Sequence, residues 1–450
     1  MKKVFLFFIL ILLLSGCSTI SGRKSALKNF ARGVISFENE EYDKAIKEFE
    51  ETLKKGGQSG YVNLKLGNLY LKKKQPEKAK RYFYRAKREN PDNPQVYFGL
   101  AVAYLFEKNN PLAAYFIEKG LKRQPDNNSF RLILCDIYVS LKEYEKASHH
   151  YSILVKKFPS NYLLHYNYAK ILEKIGNYSE AEFQYLKTLD IVPSFWQANL
   201  SLALLYQKEG KFDKAIQFFK NTIQYNPKNP VAYTFLASSF YSEGEVDRAI
   251  EILEKAINEG IRKKEFYDFL GHIYYRKNDY EKAIENFKKS IEIQDTSETR
   301  FQLGVVYDKL GEKDEMEKQL KMAIKLNPEN ALALNYLGYS YLINNKNIKM
   351  AYKMIKKAVK KDPENGAFLD SLGWAYYKMG NYKKAKYYLE KAISLEKAPE
   401  VEEHLGYTYM KLKEYEKAIS YFMKSYEKTE KKELLKEVEK VKELLKNETY

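Results

Sequence analysis

The sequence contains little of what most catalytic and metal sites are built from. Five histidines and two cysteines are spread over 450 residues. His149 and His150 are adjacent, so on a helix their side chains point about 100° apart, and neither His165 nor a cysteine or carboxylate completes a metal-ligand spacing. The sequence has no Gly-rich phosphate loop, no Gly-x-Ser-x-Gly elbow and no His-Glu-x-x-His motif. We therefore predict no enzyme activity, no metal site and no cofactor.

Long apolar runs and flexible linkers are also scarce. The longest apolar run, VFLFFILILLL, has eleven residues and directly follows Met1-Lys2-Lys3. Because about 20 residues are needed to span a bilayer, this run predicts a cleaved export signal rather than a permanent membrane helix. No segment rich in glycine, serine or proline interrupts the rest of the chain, so we expect one continuous array of units rather than several domains.

A repeated unit dominates the rest of the sequence. In residues 366–398 two amphipathic helical patterns meet at Gly380, where a glycine in the left-handed conformation would end the first helix. Gly373 and Ala385 lie twelve residues apart, and their small side chains would let the two helix axes approach closely. A single hairpin of this kind cannot bury its own apolar face, so several copies must stack.

Copies of this hairpin recur every 33 to 35 residues. An alanine, or in one copy a methionine, stands near the start of the second helix of each copy. These residues are Ala45, Ala79, Ala113, Ala147, Ala181, Ala215, Ala249, Ala283, Met316, Ala351, Ala385 and Ala418. The small residue of the first helix stands at Gly33, Gly67, Ala101, Cys135, Ala169, Ala203, Ala237, Gly271, Gly304, Gly338, Gly373 and Gly406. A proline closes many copies, at Pro91, Pro125, Pro159, Pro193, Pro227, Pro328 and Pro363.

This pattern of small residue, tyrosine, alanine and closing proline resembles the tetratricopeptide repeat family over residues 26–432. The resemblance implies an all-α fold, an α-solenoid of about twelve helical hairpins that form a right-handed superhelix. Residues 433–450 contain LLKEVEKVKELLK, with Leu434, Val438, Val441 and Leu445 on one helical face. They predict a C-terminal capping helix, and the alternative is an amphipathic helix for a membrane or a partner.

Two local departures from the pattern carry predictions of their own. Cys135 occupies the small-residue position of the fourth unit, so we expect it to be buried in packing rather than reactive. Between Pro230 and Pro328 the closing prolines disappear, the spacing shortens to 33 and Met316 replaces the alanine. These changes predict a bend or a mobile joint in the array near residues 256–320.

The start of the chain resembles that of a bacterial lipoprotein. Leu14-Ser15-Gly16-Cys17 looks like a lipobox, which implies that residues 1–16 are a lipoprotein signal peptide and that Cys17 carries fatty-acyl chains such as palmitate. Residues 17–25 would form a lipidated tether. In such proteins a serine after the lipid cysteine, here Ser18, implies sorting to the outer membrane. We therefore expect a lipid-anchored protein of the bacterial cell envelope, at the outer membrane and facing the periplasm; the alternative is a plain signal or an uncleaved anchor.

The formal net charge of +18 falls by two when Lys2 and Lys3 leave with the signal. Such a balance favours anionic partners, namely lipid head groups, acidic polysaccharide or acidic proteins. Nucleic acid is not expected, because the chain has an export signal and no nucleic-acid motif. The alternative is that the lysines lie on solvated helix faces and pair with glutamates.

In tetratricopeptide proteins the first helices line a concave groove, and the positions that face it can be read from each unit. The resemblance marks a candidate partner-binding groove of aromatic and polar residues: Tyr241, His272, Tyr275, Asn335, Tyr339, Asp370, Trp374, Tyr377 and Tyr407. Such a surface could hold an extended peptide or a helix, or stack on sugar rings. The alternative is that several of these aromatics pack against the neighbouring helix as core.

The sequence therefore predicts a membrane-anchored protein–protein interaction scaffold in the assembly or secretion machinery of the cell envelope, with envelope proteins as partners. The alternative is an accessory protein that binds or helps to export polysaccharide or peptidoglycan. The distribution of lysines should separate the two. A basic track along the groove favours a polyanion, whereas lysines on the outer faces favour a protein partner.

Overall fold

The computed structural model describes residues 20–56 and 59–448, and in this part of the chain it contains 25 α-helices and no strand. The predicted all-α fold is confirmed. The predicted signal peptide and the lipidated Cys17 lie outside the described residues. The contacts divide the chain into two units, Met1–Pro227 and Lys228–Tyr450. The predicted joint near residues 256–320 stays a prediction, for which hydrogen exchange is the test.

Unit 1 consists of six consecutive helical hairpins. Its helices are α1 (Ile20–Glu38), α2 (Tyr42–Gly56), α3 (Gly60–Lys72), α4 (Pro76–Glu89), α5 (Pro94–Phe106), α6 (Asn110–Arg123), α7 (Asn128–Ser140), α8 (Tyr144–Lys157), α9 (Tyr162–Lys174), α10 (Tyr178–Ile191), α11 (Trp196–Lys208) and α12 (Phe212–Tyr225). Odd-numbered helices are the first helices of the hairpins and even-numbered helices are the second.

Unit 2 contains six further hairpins and a last helix. Its helices are α13 (Pro230–Ser242), α14 (Val246–Asn258), α15 (Lys264–Arg276), α16 (Tyr280–Ile293), α17 (Ser297–Lys309), α18 (Lys313–Leu326), α19 (Ala331–Ile343), α20 (Ile348–Lys361), α21 (Gly366–Lys378), α22 (Tyr382–Leu395), α23 (Pro399–Lys411), α24 (Tyr415–Thr429) and α25 (Lys432–Glu448). First helices of neighbouring hairpins contact each other, as α19 does with α21 and α21 with α23, so they form one layer.

Every hairpin turns through a residue in the left-handed conformation, and the turn between α19 and α20 has two such residues, Asn345 and Asn347. Gly380 has φ +77° between α21 and α22, as the sequence predicts. The same position is occupied in the other hairpins by Glu40, Lys74, Lys108, Lys142, Gly176, Gly210, Gly244, Asn278, Gly311, Asn345 and Lys413, all with positive φ. Because this conformation costs a residue with a side chain roughly 1–2 kcal/mol, the turns without glycine are held by the packing of the helices on either side.

The repeat residues lie where the two helices of each hairpin meet. Eleven of the twelve aligned residues are alanines with no exposed surface, and the twelfth, Met316, is 3% exposed. At the facing position a methyl group on Gly373 would lie 2.6 Å from Cγ of Leu389, and one on Gly67 would lie 2.5 Å from a ring carbon of Phe83. The glycines therefore permit a close approach of the helices. Cys135 is buried in the same position of the fourth hairpin, so the prediction that it is buried in packing is confirmed. Burial raises the pKa of its thiol to about 12.

The closing prolines of unit 1 supply a hydrogen-bond acceptor to the next hairpin. After four of these prolines, a polar side chain near the start of the following first helix donates a hydrogen bond to the proline carbonyl six residues earlier. The pairs and their distances are Tyr97 to Pro91 (2.7 Å), Arg131 to Pro125 (2.6 Å), His165 to Pro159 (3.0 Å) and Asn199 to Pro193 (3.1 Å). These bonds fix the loop between one hairpin and the next.

Tyrosine hydroxyls join every second hairpin to the one before it. In each case a tyrosine of a first helix donates a hydrogen bond to a glutamate of the preceding second helix. The pairs are Tyr70–Glu50, Tyr138–Glu118, Tyr206–Glu182, Tyr274–Glu254, Tyr341–Glu317 and Tyr409–Glu390. Burial, and then the glutamate, raises the pKa of Tyr70 and of Tyr341 to about 12. The abundance of tyrosine thus has a structural cause.

The last helix, α25, closes the array of unit 2. Leu434, Val438 and Val441 are at most 3% exposed and belong to one core with Leu405 and Phe422. Burying each such side chain stabilises the fold by about 1.5–3 kcal/mol. The opposite side of α25 is charged and exposed, which agrees with the predicted capping helix.

Replacing Glu317 with Gln should lower the free energy of unfolding at neutral pH by up to about 1 kcal/mol. Glu317 accepts hydrogen bonds from Lys321, Tyr341 and Lys346. These bonds lower the pKa of its carboxyl group from the ordinary 4.5 to about 2. A depressed carboxyl pKa stabilises the fold fully above about pH 4.5, and this contribution is lost as the pH falls towards 2. Urea unfolding of both proteins across this range should show their difference shrinking with acidification. The exposed Asp314→Asn on the same helix is the control.

The hairpin turns allow a second test, with two substitutions of opposite sign. Lys142→Gly should raise the free energy of unfolding by up to about 1 kcal/mol, because it relieves a left-handed residue at φ +60°. Gly176→Ala should lower it by about 1–2 kcal/mol, since no atom lies within 4 Å of the added methyl group and only the backbone is strained. Urea unfolding measures both, and two changes of the same sign would contradict this account.

Candidate partner-binding site

Four of the nine candidate groove residues, Tyr339, Trp374, Tyr377 and Tyr407, form a compact cluster with His404. The indole of Trp374 on α21 stacks on His404 of α23 with ring centroids 4.0 Å apart, and on Tyr377 with centroids 4.5 Å apart. Tyr407 lies 6.1 Å from the indole, and Tyr339 of α19 meets His404 edge-on at 6.1 Å. We call these five residues the Trp374 cluster. It joins three consecutive first helices.

A buried hydrogen-bonded pair, His404 and Asp370, holds one ring of the cluster in place. Nδ1 of His404 lies 2.8 Å from Oδ1 of Asp370, and each residue is 7% exposed. The carboxylate therefore fixes the orientation of the imidazole on which Trp374 stacks. Asp370 was among the candidate groove residues, whereas His404 was not. The two residues lie 34 positions apart on different hairpins, and only the three-dimensional register reveals their contact.

The cluster is half-buried rather than open. Tyr339, Trp374, Tyr377 and Tyr407 all have intermediate exposure. Nζ of Lys378, one turn further along α21, lies 5.1 Å from the centre of the indole and covers part of it. Each ring thus shares its surface between its neighbours in the helical layer and the solvent.

Carboxylates lie around the cluster, and two of them are already paired, Asp370 with His404 at 2.8 Å and Glu403 with Lys431 at 3.1 Å. Burial raises the pKa of Tyr339, and Asp370, Glu400 and Glu403 raise it further. Burial also raises the pKa of Tyr407 to about 12, with smaller contributions from Glu437 of α25 and from Glu403. These carboxylates and the faces of the rings are acceptors for N–H or cationic groups of a ligand.

The remaining candidate groove residues lie elsewhere on the first helices. Tyr241 packs edge-on against Phe269 at 5.8 Å, and Tyr275 lies 6.0 Å from Tyr280. His272 is exposed and meets Phe287 edge-on at 5.3 Å. Asn335 is half-buried, and its enclosed Oδ1 has no hydrogen-bond partner among residues 20–56 and 59–448.

Nowhere in residues 20–56 and 59–448 do three His, Cys, Asp or Glu side chains converge as metal ligands would. Within the same ranges, none of the helices combines the length and the apolarity needed to cross a bilayer.

Comparison with known families identifies the repeat. Three family models described as tetratricopeptide repeat match residues 36–101 and 206–260, residues 265–296 and 297–330, and residues 134–194. The chain is built from tetratricopeptide repeats. A model described as anaphase-promoting complex, cyclosome, subunit 3 matches residues 344–425, which include the Trp374 cluster. No curated protein sequence matches the chain.

Solved structures of other helical-repeat proteins are similar to this tetratricopeptide array. The structure of Naa15/Naa10 bound to HypK is 16% identical, with a TM-score of 0.49, and the match covers 88% of this chain and 68% of that one. The Cut9 complex with Hcn1 is 13% identical, with a TM-score of 0.46 and coverage of 92% and 96%. Yeast Tom70 is 18% identical, with a TM-score of 0.39 and coverage of 94% and 96%.

The two histidines on the first helices of unit 2 give a direct test of the tetratricopeptide site. His404→Ala should lower the free energy of unfolding by about 2–4 kcal/mol, because it leaves the buried Asp370 carboxylate without its partner and removes a ring from Trp374. The exposed His272→Ala should cost less than about 0.5 kcal/mol. Urea unfolding compares the two, and equal losses would show that His404 does not support the cluster.

Proposed function

We propose that this protein is an interaction scaffold that holds a polypeptide partner on the first-helix layer of unit 2, at the Trp374 cluster. The observation that carries the proposal is the convergence of Tyr339, Trp374 and His404 from three consecutive first helices. A set of large, half-buried rings held by their neighbours can bury much area on a partner at little cost in side-chain entropy.

The chemistry around the cluster supports a partner that presents cationic or N–H donor groups. Asp370, Glu400 and Glu403 lie close enough to raise the pKa of Tyr339, and the aromatic faces attract cations. A segment with lysine or arginine beside apolar side chains would satisfy both features. Main-chain amides of an extended peptide would supply further donors.

The distribution of lysines in unit 2 supports a protein partner over an acidic polysaccharide at this site. The first helices α19 and α21 together carry one lysine and one aspartate, and α23 carries three glutamates and one lysine. The second helix α20 carries six lysines and no acidic residue. Glu402 and Glu403 of α23 are paired with Lys428 and Lys431. The first helices therefore offer no basic track to a polyanion, which makes the glycan-binding alternative the weaker one there.

Attachment to a membrane through Cys17 is the second part of the proposal. It rests on the resemblance of Leu14–Cys17 to a lipobox and on the apolar run that precedes it. An acylated Cys17 would place the scaffold on the bacterial cell envelope, at the outer membrane and facing the periplasm, beside partners that assemble or secrete envelope components. Mass spectrometry of the mature N-terminus tests this part by itself, because an unmodified or uncleaved Cys17 would contradict it.

The partner is tested by crosslinking and affinity purification from the protein's own membranes. We expect the wild type to recover specific proteins that a Trp374→Ala/Tyr377→Ala variant fails to recover, with a loss of at least about tenfold. The matched control is Trp196→Ala/Tyr178→Ala in unit 1, which removes half-buried aromatics of the same kinds.

Circular dichroism and thermal unfolding of both variants separate loss of binding from loss of folding. Equal recovery of all partners by the wild type and a folded Trp374→Ala/Tyr377→Ala variant would overturn the assignment of the site. Recovery of glycan with no enriched protein would overturn the scaffold function itself and favour the polysaccharide-binding alternative.

A further inference from the structure

Two neighbouring second helices of unit 2, α20 and α22, are strongly basic. The helix α20 has six lysines and no acidic residue, and α22 has four lysines and a single acidic residue, Glu390. Other helices of the unit are more balanced; α16, for example, has three lysines and three glutamates. The positive charge of unit 2 is thus concentrated on one part of its second-helix layer.

Nearly all of these lysines point into solvent. We call the exposed ones the basic face: Lys349, Lys353, Lys356, Lys357, Lys360, Lys361, Lys383, Lys384 and Lys391. Lys357 pairs with Glu329 at 2.6 Å. For the other eight, the described part of the chain contains no carboxylate within 4 Å. The face therefore carries a positive charge that the protein itself does not neutralise.

The two helices contribute to one surface because both pack against Tyr376 of α21. The hydroxyl of Tyr352 on α20 lies 3.1 Å from that of Tyr376, and the ring of Tyr388 on α22 stacks on Tyr376 at 5.4 Å. Lys356 lies over Tyr352 at 5.7 Å, and Lys384 over Tyr376 at 5.4 Å. The side chains of these two lysines thus lie over tyrosine rings that connect the two helices.

Apolar side chains stand exposed among these lysines. Tyr387 is 63% exposed, with Lys383 and Lys391 one turn away on either side. Met350 is 54% exposed and lies one turn from Lys353 on α20. A dissolved, highly hydrated polyanion offers no apolar environment for a methionine. The head-group region of a phospholipid bilayer accepts lysine, tyrosine and methionine together.

We propose that the basic face binds the surface of an anionic phospholipid membrane, with its lysines at the lipid phosphates and with Tyr387 and Met350 entering the interface. This contact is separate from any acyl chain on Cys17, because it resides in unit 2. It is also separate from the proposed partner site, since the Trp374 cluster belongs to the first helices. One unit could therefore contact lipid through its second-helix layer and a protein through its first-helix layer.

The test uses the chain from Ser18 onwards, without the predicted signal and Cys17, and with Tyr387→Cys. The new cysteine is labelled with an environment-sensitive dye, since the other thiol, Cys135, is buried. The probes are vesicles of phosphatidylcholine alone or with about 30% phosphatidylglycerol. We expect a blue shift of the dye emission only with the anionic vesicles, and its loss at high salt. The same dye at Leu332→Cys, a 53% exposed position of the first helix α19, should not respond.

A charge variant then tests the lysines themselves. Lys349→Gln/Lys353→Gln/Lys356→Gln/Lys360→Gln should weaken binding of the dye-labelled chain to anionic vesicles by at least about tenfold. The matched control replaces the four lysines of α2 (Lys44, Lys47, Lys54 and Lys55) with Gln, where Asp43, Glu48, Glu50 and Glu51 balance the charge. It should change binding by less than about twofold.

Three outcomes would overturn the proposal. The first is an equal dye response to neutral and anionic vesicles. The second is unchanged binding by the lysine variant of α20. The third is tight binding of dissolved polygalacturonate that depends on these lysines, without binding to anionic vesicles, which would identify an acidic polysaccharide as the occupant. None of these results bears on partner recovery through Trp374, so the two proposals can fail independently.

Discussion

The close approach of two helices within each hairpin is the contact on which the rest of the structure depends. A glycine or other small residue on the first helix faces a bulky side chain of the second, as Gly67 faces Phe83 and Gly373 faces Leu389. A left-handed residue in the turn lets the chain reverse so that these faces meet. A hairpin formed in this way still has an apolar outer surface, so it is stable only when the next hairpin covers it.

Stacking of hairpins creates a second requirement. The junctions between hairpins must bury apolar side chains and also provide hydrogen-bond partners for the polar groups that lose contact with water. The tyrosine–glutamate bonds meet this requirement in every second hairpin, and proline carbonyls accept bonds between hairpins in unit 1. Most tyrosine hydroxyls with a raised pKa are therefore parts of the scaffold, not of a reaction centre. A shifted pKa indicates a functional site only where hydrogen bonds that stabilise the fold do not already explain the shift.

The two-layer arrangement of unit 2 also separates two kinds of surface chemistry. The first helices carry the aromatic rings of the Trp374 cluster with carboxylates around them, whereas the second helices α20 and α22 carry the unneutralised lysines. Residues that face the next first helix cannot also face the solvent beyond the second helix. A repeat of this design can therefore contact two chemically different partners without either interfering with the other.

Much of this organisation could be predicted from the sequence alone. The period near 34, the alanines and the small residues determined the twelve hairpins, the buried Cys135, the turn at Gly380 and the capping helix, because each depends on short-range spacing along the chain. The same reasoning placed Tyr339, Trp374 and Tyr407 on one layer of first helices. It could not determine the pairing of His404 with Asp370, the half-burial of the rings, or the alternation of tyrosine–glutamate bonds. Those features depend on how side chains from different hairpins meet, and such distances arise only when the helices pack in three dimensions.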